Sequence, residues 1–377
     1  MGRRGHGEGS ITRRKDGRYQ AAITLENHER KYFYGKTRKE VQEKLNKALY
    51  EQKQGTLVTG PQQTLKAHLE RWLEQVCKLT MRPNTYKSYR SAIHHHLVPA
   101  LGHIKLQKLK IGDLQAFYAE KHGKLKPGTL AVINAALSDA LEDALKQGMV
   151  ARNVAKLVDL PHIERYEGQI LTVEQARKLL EVAHGSSLDA LLLVALTTGM
   201  RRGELAAVRW SDVDLEKGIL QVRRTLAWVH GMGYVEGEPK TKAGRRKIGL
   251  SNVVVEALKE HRIRQEQARM KMGDRWRELG LIFCNMHGGY FNPGRIWYLF
   301  KKVLKAAGLP DVRFHDLRHG AATVLLAAKV DLKVVSELLG HSSVAVTADI
   351  YGHVLPEMQQ EVVKKMDDLF GCSPSSE

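Results

Sequence analysis

Residues 188–198 read LDALLLVALTT, a stretch so apolar that a helix built from it has no face to offer to water. Such a helix must be buried, so the chain has to supply other elements to surround it. The run stops at Gly199, and Arg201 follows two residues later. A guanidinium at the end of a buried helix needs an anionic partner, because an unpaired buried charge is costly. Glu204 is the local candidate. Taken alone, the motif is read most simply as an Arg201–Glu204 ion pair with no further role.

The apolar helix lies in the last of three segments that separate by pattern. The first, residues 1–59, has strand signals at 10–14, 18–25 and 30–34 around the turn Lys15-Asp16-Gly17. A helix follows from Thr37, with Glu40 placed for a capping box. The second, residues 62–160, reads as all-helical. Helices are expected at 64–77, 84–96 and 113–122, and Leu130, Ile133, Leu137, Leu141 and Ala144 recur at helical spacing after Pro127-Gly128-Thr129. A linker at 161–169 leads to residues 170–377, which open on a second capping box, Thr172 with Gln175. Strands are expected there at 218–224, 234–238 and 245–250. Helices are expected at 253–270, 293–307, 315–328, 332–339 and 344–351, with an amphipathic tail helix at 355–370. The expected fold is therefore multidomain α+β. A small three-stranded sheet with one helix precedes an all-helical domain and a mainly helical domain with a small antiparallel sheet.

Charge narrows the partners. The chain of 377 residues has a formal net charge of +19, and residues 1–59 alone hold 14 Lys and Arg against 7 Asp and Glu. Such an excess repels itself unless a polyanion neutralises it, which points to nucleic acid. No apolar run is long enough to span a bilayer, and the N-terminus has no apolar leader core, so a membrane partner and export are not expected. Cys77, Cys284 and Cys372 are far apart and form no CxxC pair, which argues against a disulfide framework or a thiolate zinc site and fits a reducing cytoplasm. His94-His95-His96 is not read as a metal site either, since consecutive helical residues point in different directions.

Three further motifs follow Arg201. Residues 239–246, PKTKAGRR, read as a basic turn between two strands, able to bring a lysine, Lys240 or its neighbour Lys242, into a site. In Phe314-His315-Asp316-Leu317-Arg318-His319, His315 and Arg318 are three apart and share a helix face, where an imidazole and a guanidinium can grip one phosphate. In Leu338-Leu339-Gly340-His341, Gly340 ends a helix and His341 occupies the turn; Thr347, Tyr351, Gly352 and His353 follow. Each motif alone has an ordinary structural explanation.

In this order, Arg201, Lys240, His315-x-x-Arg318, Gly340-His341 and Tyr351 resemble the tyrosine recombinase (phage integrase) family at every position of its catalytic set. The resemblance covers essentially the whole chain and is most specific over residues 198–353. It implies an arm-type DNA-binding domain at 1–59, a core-binding SAM-like domain at 62–160 and a catalytic domain at 170–377. It also implies a role for each residue. Arg201 and Arg318 would clamp the scissile phosphate, and Tyr351 would attack it to leave a 3′-phosphotyrosine and a 5′-hydroxyl. Lys240 would protonate the leaving oxygen, His315 would assist proton transfer from the tyrosine and bond the phosphate, His341 would donate a further bond to it, and Glu204 would orient the cluster from behind. The implied function is site-specific recombination that integrates or excises a mobile element. Its implied partners are double-stranded DNA at attachment sites, a homotetrameric synaptic complex, and DNA-bending proteins or an excision factor. No metal or cofactor is implied, and no Walker loop is present. The rival readings are a type IB topoisomerase-like enzyme, which shares the chemistry, and a non-catalytic DNA-binding protein, which would not need the full set.

Overall fold

The computed structural model describes residues 9–25, 30–54, 57–58, 62–162, 169–229, 231–239 and 241–351. Lys240, Gly352, His353, the expected tail helix and most of the expected linker lie outside the described residues. The chain divides into two compact units, Met1–Arg165 and Tyr166–Glu377.

The first unit begins with an antiparallel sheet, β1 (Ser10–Arg13), β2 (Tyr19–Thr24) and β3 (Arg30–Gly35), in that order. Strand alternation sorts its side chains. Ala21 and Ile23 pack on Val41, Leu45 and Ala48 of α1 (Arg38–Lys53), while Tyr32 and Tyr34 stay exposed on the opposite face. The Thr37 cap forms as expected, but only by half. Its hydroxyl accepts from Glu40 N (3.2 Å), whereas the Glu40 carboxylate accepts from Lys36 N rather than Thr37 N.

A separate helical core follows. α2 (Leu65–Trp72) runs through a π-helical turn, Leu73–Cys77, into α3 (Lys78–Thr80). α4 (Pro83–Ala92) runs through a second π turn, Ile93–Leu97, into α5 (Val98–Leu101). α6 (Ile111–Lys121) and α7 (Pro127–Lys146) complete the bundle. The sequence suggests regular helices, and the departure has a physical cause. Leu65, Leu69, Leu73 and Cys77 are spaced by four and all buried, as are Ile93, Leu97 and Leu101. On a helix of about 3.6 residues per turn that spacing drifts off the core face, and a wider π turn brings it back. His94–His96 fall inside the second such turn. Buried His68 of α2 donates from Nε2 to the Ala140 carbonyl of α7 (2.8 Å), which links the two helices.

The second unit is built around the apolar helix. α8 (Val173–Ala183) starts on the Thr172–Gln175 capping box, with both reciprocal bonds present. α9 (Asp189–Thr198) buries Ala190, Leu191, Leu192, Val194 and Ala195 in the main core. After the short α10 (Arg202–Leu205) come β4 (Val213–Asp214), β5 (Ile219–Val222), β6 (Thr225–Val229), β7 (Gly233–Gly237) and β8 (Arg246–Gly249). α11 (Asn252–Met272), α12 (Pro293–Ala306), α13 (Asp316–Ala327), α14 (Leu332–Leu339) and α15 (Val344–Tyr351) follow.

The strands correct one expectation. Residues 239–245 do not close a hairpin between adjacent strands. β7 pairs with β6, and β8 pairs with β5 beside β4, so the basic segment leads from one sheet to another. The inserted β6–β7 hairpin packs on the α10 region through Leu226 with Ala206 and Ala207.

Gly199 ends α9 with φ +60°, where a Cβ would sit 2.5 Å from Leu339 Cδ2. Gly199→Ala should therefore lower stability by about 1–3 kcal/mol, through backbone strain and overpacking together. Chemical denaturation of the two proteins checks this, and equal midpoints would contradict it.

Candidate active site

Arg201 caps α10 and is tied to Glu204 from two directions. Its backbone N–H donates to one carboxylate oxygen (3.0 Å) and its Nη1 to the other (2.8 Å). Its Nη2 donates to the Gly340 carbonyl (3.0 Å). Glu204 is 2% exposed. Burial alone would push its carboxyl up, but the charges and hydrogen bonds of Arg246 and Arg201 outweigh that and hold it below the ordinary range. Neighbouring Arg202 is exposed, so the structure distinguishes the two adjacent arginines.

The second anchor is the end of α14. Gly340 adopts φ +69° and closes a Schellman turn, with Gly340 N bonded to Glu337 O and His341 N to Ser336 O. A helix C-terminus leaves carbonyls without intrahelical partners. Here three successive carbonyls each accept from a different arginine. Leu338 O accepts from Arg246 Nε, Leu339 O from Arg318 Nη1 (2.7 Å) and Gly340 O from Arg201 Nη2 (3.0 Å). Arg318 Nη1 also donates to Gly199 O (2.7 Å), so this buried guanidinium joins the ends of α9 and α14.

His341 follows directly, its Nδ1 2.7 Å from the buried Thr347 hydroxyl of α15. Tyr351, the last residue of α15, lies one helical turn beyond Thr347. His315 caps α13, and its ring stands edge-on to His319 with centroids 5.2 Å apart. Withdrawal from water, then His319, Arg318 and Arg201, push the His315 imidazole down to about 4. Withdrawal from water, then Arg318, Arg201, His319 and Arg246, push His341 down to about 4 as well. One cationic neighbourhood therefore contains Arg201, Arg318, His315 and His341, with Glu204 behind it.

Lys240 lies outside the described residues; its neighbour Lys242 is exposed at the start of the turn Lys242–Gly244. The sequence reading gave no role to Arg246, His319 or Thr347, which the structure adds to the cluster. For Arg246 a signal was present. Strand alternation places it on the same face as buried Ile248 and opposite to Lys247.

Residues 169–358 match the model of the Phage integrase family, and residues 64–122 match that of the Phage integrase N-terminal SAM-like domain. The chain is 32% identical to a "Tyrosine recombinase XerC-like" protein of Caldanaerobacter subterraneus subsp. tengcongensis, over 93% of this chain and 96% of that one. It is 27% identical to the ICEBs1 integrase of Bacillus subtilis, over 78% and 80% of the two chains. In fold it is similar to the Tn1549 transposon integrase in complex with transposon right end DNA, with TM-score 0.68, 20% identity, and coverage of 79% of this chain and 99% of that one. It is also similar in fold to a lambda integrase in a tetramer bound to a Holliday junction, with TM-score 0.57, 20% identity, and coverage of 92% and 96%.

Both imidazoles should be neutral at pH 7 in the DNA-free protein. Their folded values lie below the usual 6.5, so as pH falls the unfolded chain binds these protons first. Their contribution to stability is thus fully present above about 6.5 and is lost as pH falls towards about 4. Stability measured from pH 7 to 4 should fall less steeply in His341→Gln than in the wild type. Parallel curves, or an imidazole resonance titrating near 6.5, would count against this.

Proposed function

The chain belongs to the phage integrase family and is a tyrosine-type recombinase, an enzyme that breaks and rejoins DNA strands, and on that premise we propose the roles of its residues. One observation carries the reading: Arg201 and Arg318 are bound to adjacent carbonyls at the end of α14, immediately before His341. Two fixed guanidinium groups side by side suit the charge that builds on a phosphodiester in a pentacoordinate transition state. Arg201, with a side chain 39% exposed, meets the phosphate, and buried Arg318 supplies charge behind it.

Tyr351 attacks phosphorus, so a Tyr O–P bond forms as the P–O5′ bond breaks. The phosphate stays on the 3′ side as a phosphotyrosine, and the phenolic proton leaves towards His315. Lys240 gives a proton to the departing 5′-oxygen. When Nδ1 of His341 accepts from Thr347, Nε2 carries the hydrogen, so a neutral His341 still donates to the phosphate. The phosphotyrosyl bond conserves the energy of the diester, and a 5′-hydroxyl from another strand reverses the step with no nucleotide cofactor.

The remaining parts follow the same reading. Residues 1–59 are the arm-type DNA-binding domain, residues 62–160 the core-binding domain and residues 170–377 the catalytic domain with its tail. The open face of the first sheet carries Thr12, Gln20, Tyr32 and Tyr34, and the Arg14 guanidinium lies 5.3 Å from the Tyr34 ring centre, a surface suited to duplex DNA. Four copies act together on two attachment sites, with DNA-bending proteins or an excision factor setting direction. Integration or excision of a mobile element takes place in the cytoplasm of a bacterial host.

A nicked suicide substrate made from the DNA flanking the element tests the chemistry. The wild type should give a covalent protein–DNA band on a denaturing gel without metal or ATP, and Tyr351→Phe should give none. A band that persists in Tyr351→Phe would assign the nucleophile elsewhere. Tight binding without any band would favour a protein that binds DNA and does not cut.

Replacing the 5′-bridging oxygen by sulfur gives a leaving group that needs little protonation. Lys240→Met should therefore be slow on the ordinary substrate by about 100-fold and recover on the sulfur one. Lys242→Met should show no such pattern. The reverse result would transfer the acid role to Lys242.

A further inference from the structure

The Arg246 side chain is buried and bonded along its whole guanidinium. Nε donates to Leu338 O, Nη1 to Gly244 O (3.2 Å) and Nη2 to the Glu204 carboxylate (3.0 Å). Its side chain is 6% exposed, so it is no surface group reaching for DNA. Its backbone is fixed as well, since it opens β8 opposite Val222 of β5.

The charge balance around Glu204 gives these bonds a purpose. One carboxylate oxygen accepts from Arg201 Nη1, and the other accepts from Arg201 N and Arg246 Nη2. Among the described residues, Arg201 and Arg246 are the two cations paired with Glu204. Two guanidinium groups and one carboxylate leave a net positive charge. Without Arg246, Glu204 and Arg201 would form a neutral pair. An incoming phosphodiester would then compete with a buried carboxylate for the group meant to neutralise it. The bond from Nε to Leu338 O also sets this third guanidinium beside the carbonyls that hold Arg318 and Arg201.

We infer that Arg246 is a positioning residue for DNA cleavage, which balances Glu204 and so leaves the charge of Arg201 available to the scissile phosphate. The inference rests on the recombinase reading above. It separates Arg246 from Arg245, whose guanidinium pairs with Glu238 on the exposed side of the same segment.

The test compares single-turnover cleavage of two suicide substrates, one with an ordinary scissile phosphodiester and one with an uncharged methylphosphonate there. Arg246→Met should cleave the phosphodiester about 100-fold more slowly than the wild type, the scale of one lost transition-state contact, with DNA affinity unchanged. On the methylphosphonate, which has no anion to neutralise, its deficit should shrink to about 10-fold or less. Two further variants keep the test open should Arg246→Met fold poorly. Arg246→Lys retains the charge and should recover part of the rate, with the remainder lost because one ammonium cannot replace three guanidinium bonds. Glu204→Gln combined with Arg246→Met removes the buried anion along with its partner and should cleave the phosphodiester faster than Arg246→Met alone. Equal losses on the two substrates, or no gain from the Glu204→Gln change, would overturn the inference. A wild type that forms no covalent complex on either substrate would count against the recombinase reading, and against this inference with it.

Discussion

The carbonyl groups that end α14 hold the catalytic unit together. Leu338, Leu339 and Gly340 would leave a helix C-terminus with unmet acceptors, and each is met by an arginine from a different element. Arg246 comes from β8, Arg318 from α13 and Arg201 from the start of α10. The partial negative charge of the helix end favours all three. A guanidinium is a rigid fork, so each bond sets an orientation as well as a distance. Elements far apart in sequence are thereby brought to one point by main-chain groups, which no side-chain substitution removes.

That arrangement requires Gly340. At φ +69° its backbone is in the left-handed region, and a Cβ there would lie 2.8 Å from Ala243 O and 2.9 Å from Arg246 Nη1. The turn therefore needs glycine twice, once for its conformation and once for the close approach of the strand segment that carries Arg246. His341 takes its position from the same turn, and its contact with Thr347 carries that constraint into α15, the helix that ends on Tyr351. A single backbone feature thus links arginines, histidine and tyrosine.

Much of this was legible in the sequence, for identifiable reasons. The apolar run at 188–198 could only be a buried helix, and the glycine after α14 could only be its stop. Capping residues located the start of α8, and the turn Lys15-Asp16-Gly17 located the first sheet. The strand β7 was expected at 234–238, but its partner β6 was not legible, because residues 225–229 follow the β5 signal with no glycine or proline between them. The π turns follow from a strict spacing of four, which looks like an ordinary helix unless its drift is counted. The bonds to the α14 carbonyls could not be read at all. A main-chain acceptor has no sequence signature, so alternation could mark Arg246 as facing inward but not what it would bond.

The histidines show what the assembled charges do. Arg201 and Arg318 both act to keep His315 and His341 unprotonated. A phosphodiester held by Arg201, with Arg318 behind it, would offset their charge and raise the affinity of each imidazole for a proton. Basicity would then increase only when the anion is in place, and in His315 it would do so at the group proposed to receive the tyrosine proton. Burial is the larger cause of the low values and persists in the complex; the part that repulsion by the neighbouring cations adds is what a bound phosphodiester relieves. Glu204 offsets part of that repulsion beforehand, and Arg246 limits how much it offsets. The site depends on this intermediate setting, because a more complete neutralisation by Glu204 would stabilise the free protein and leave less charge to meet that which builds on the phosphate in the transition state.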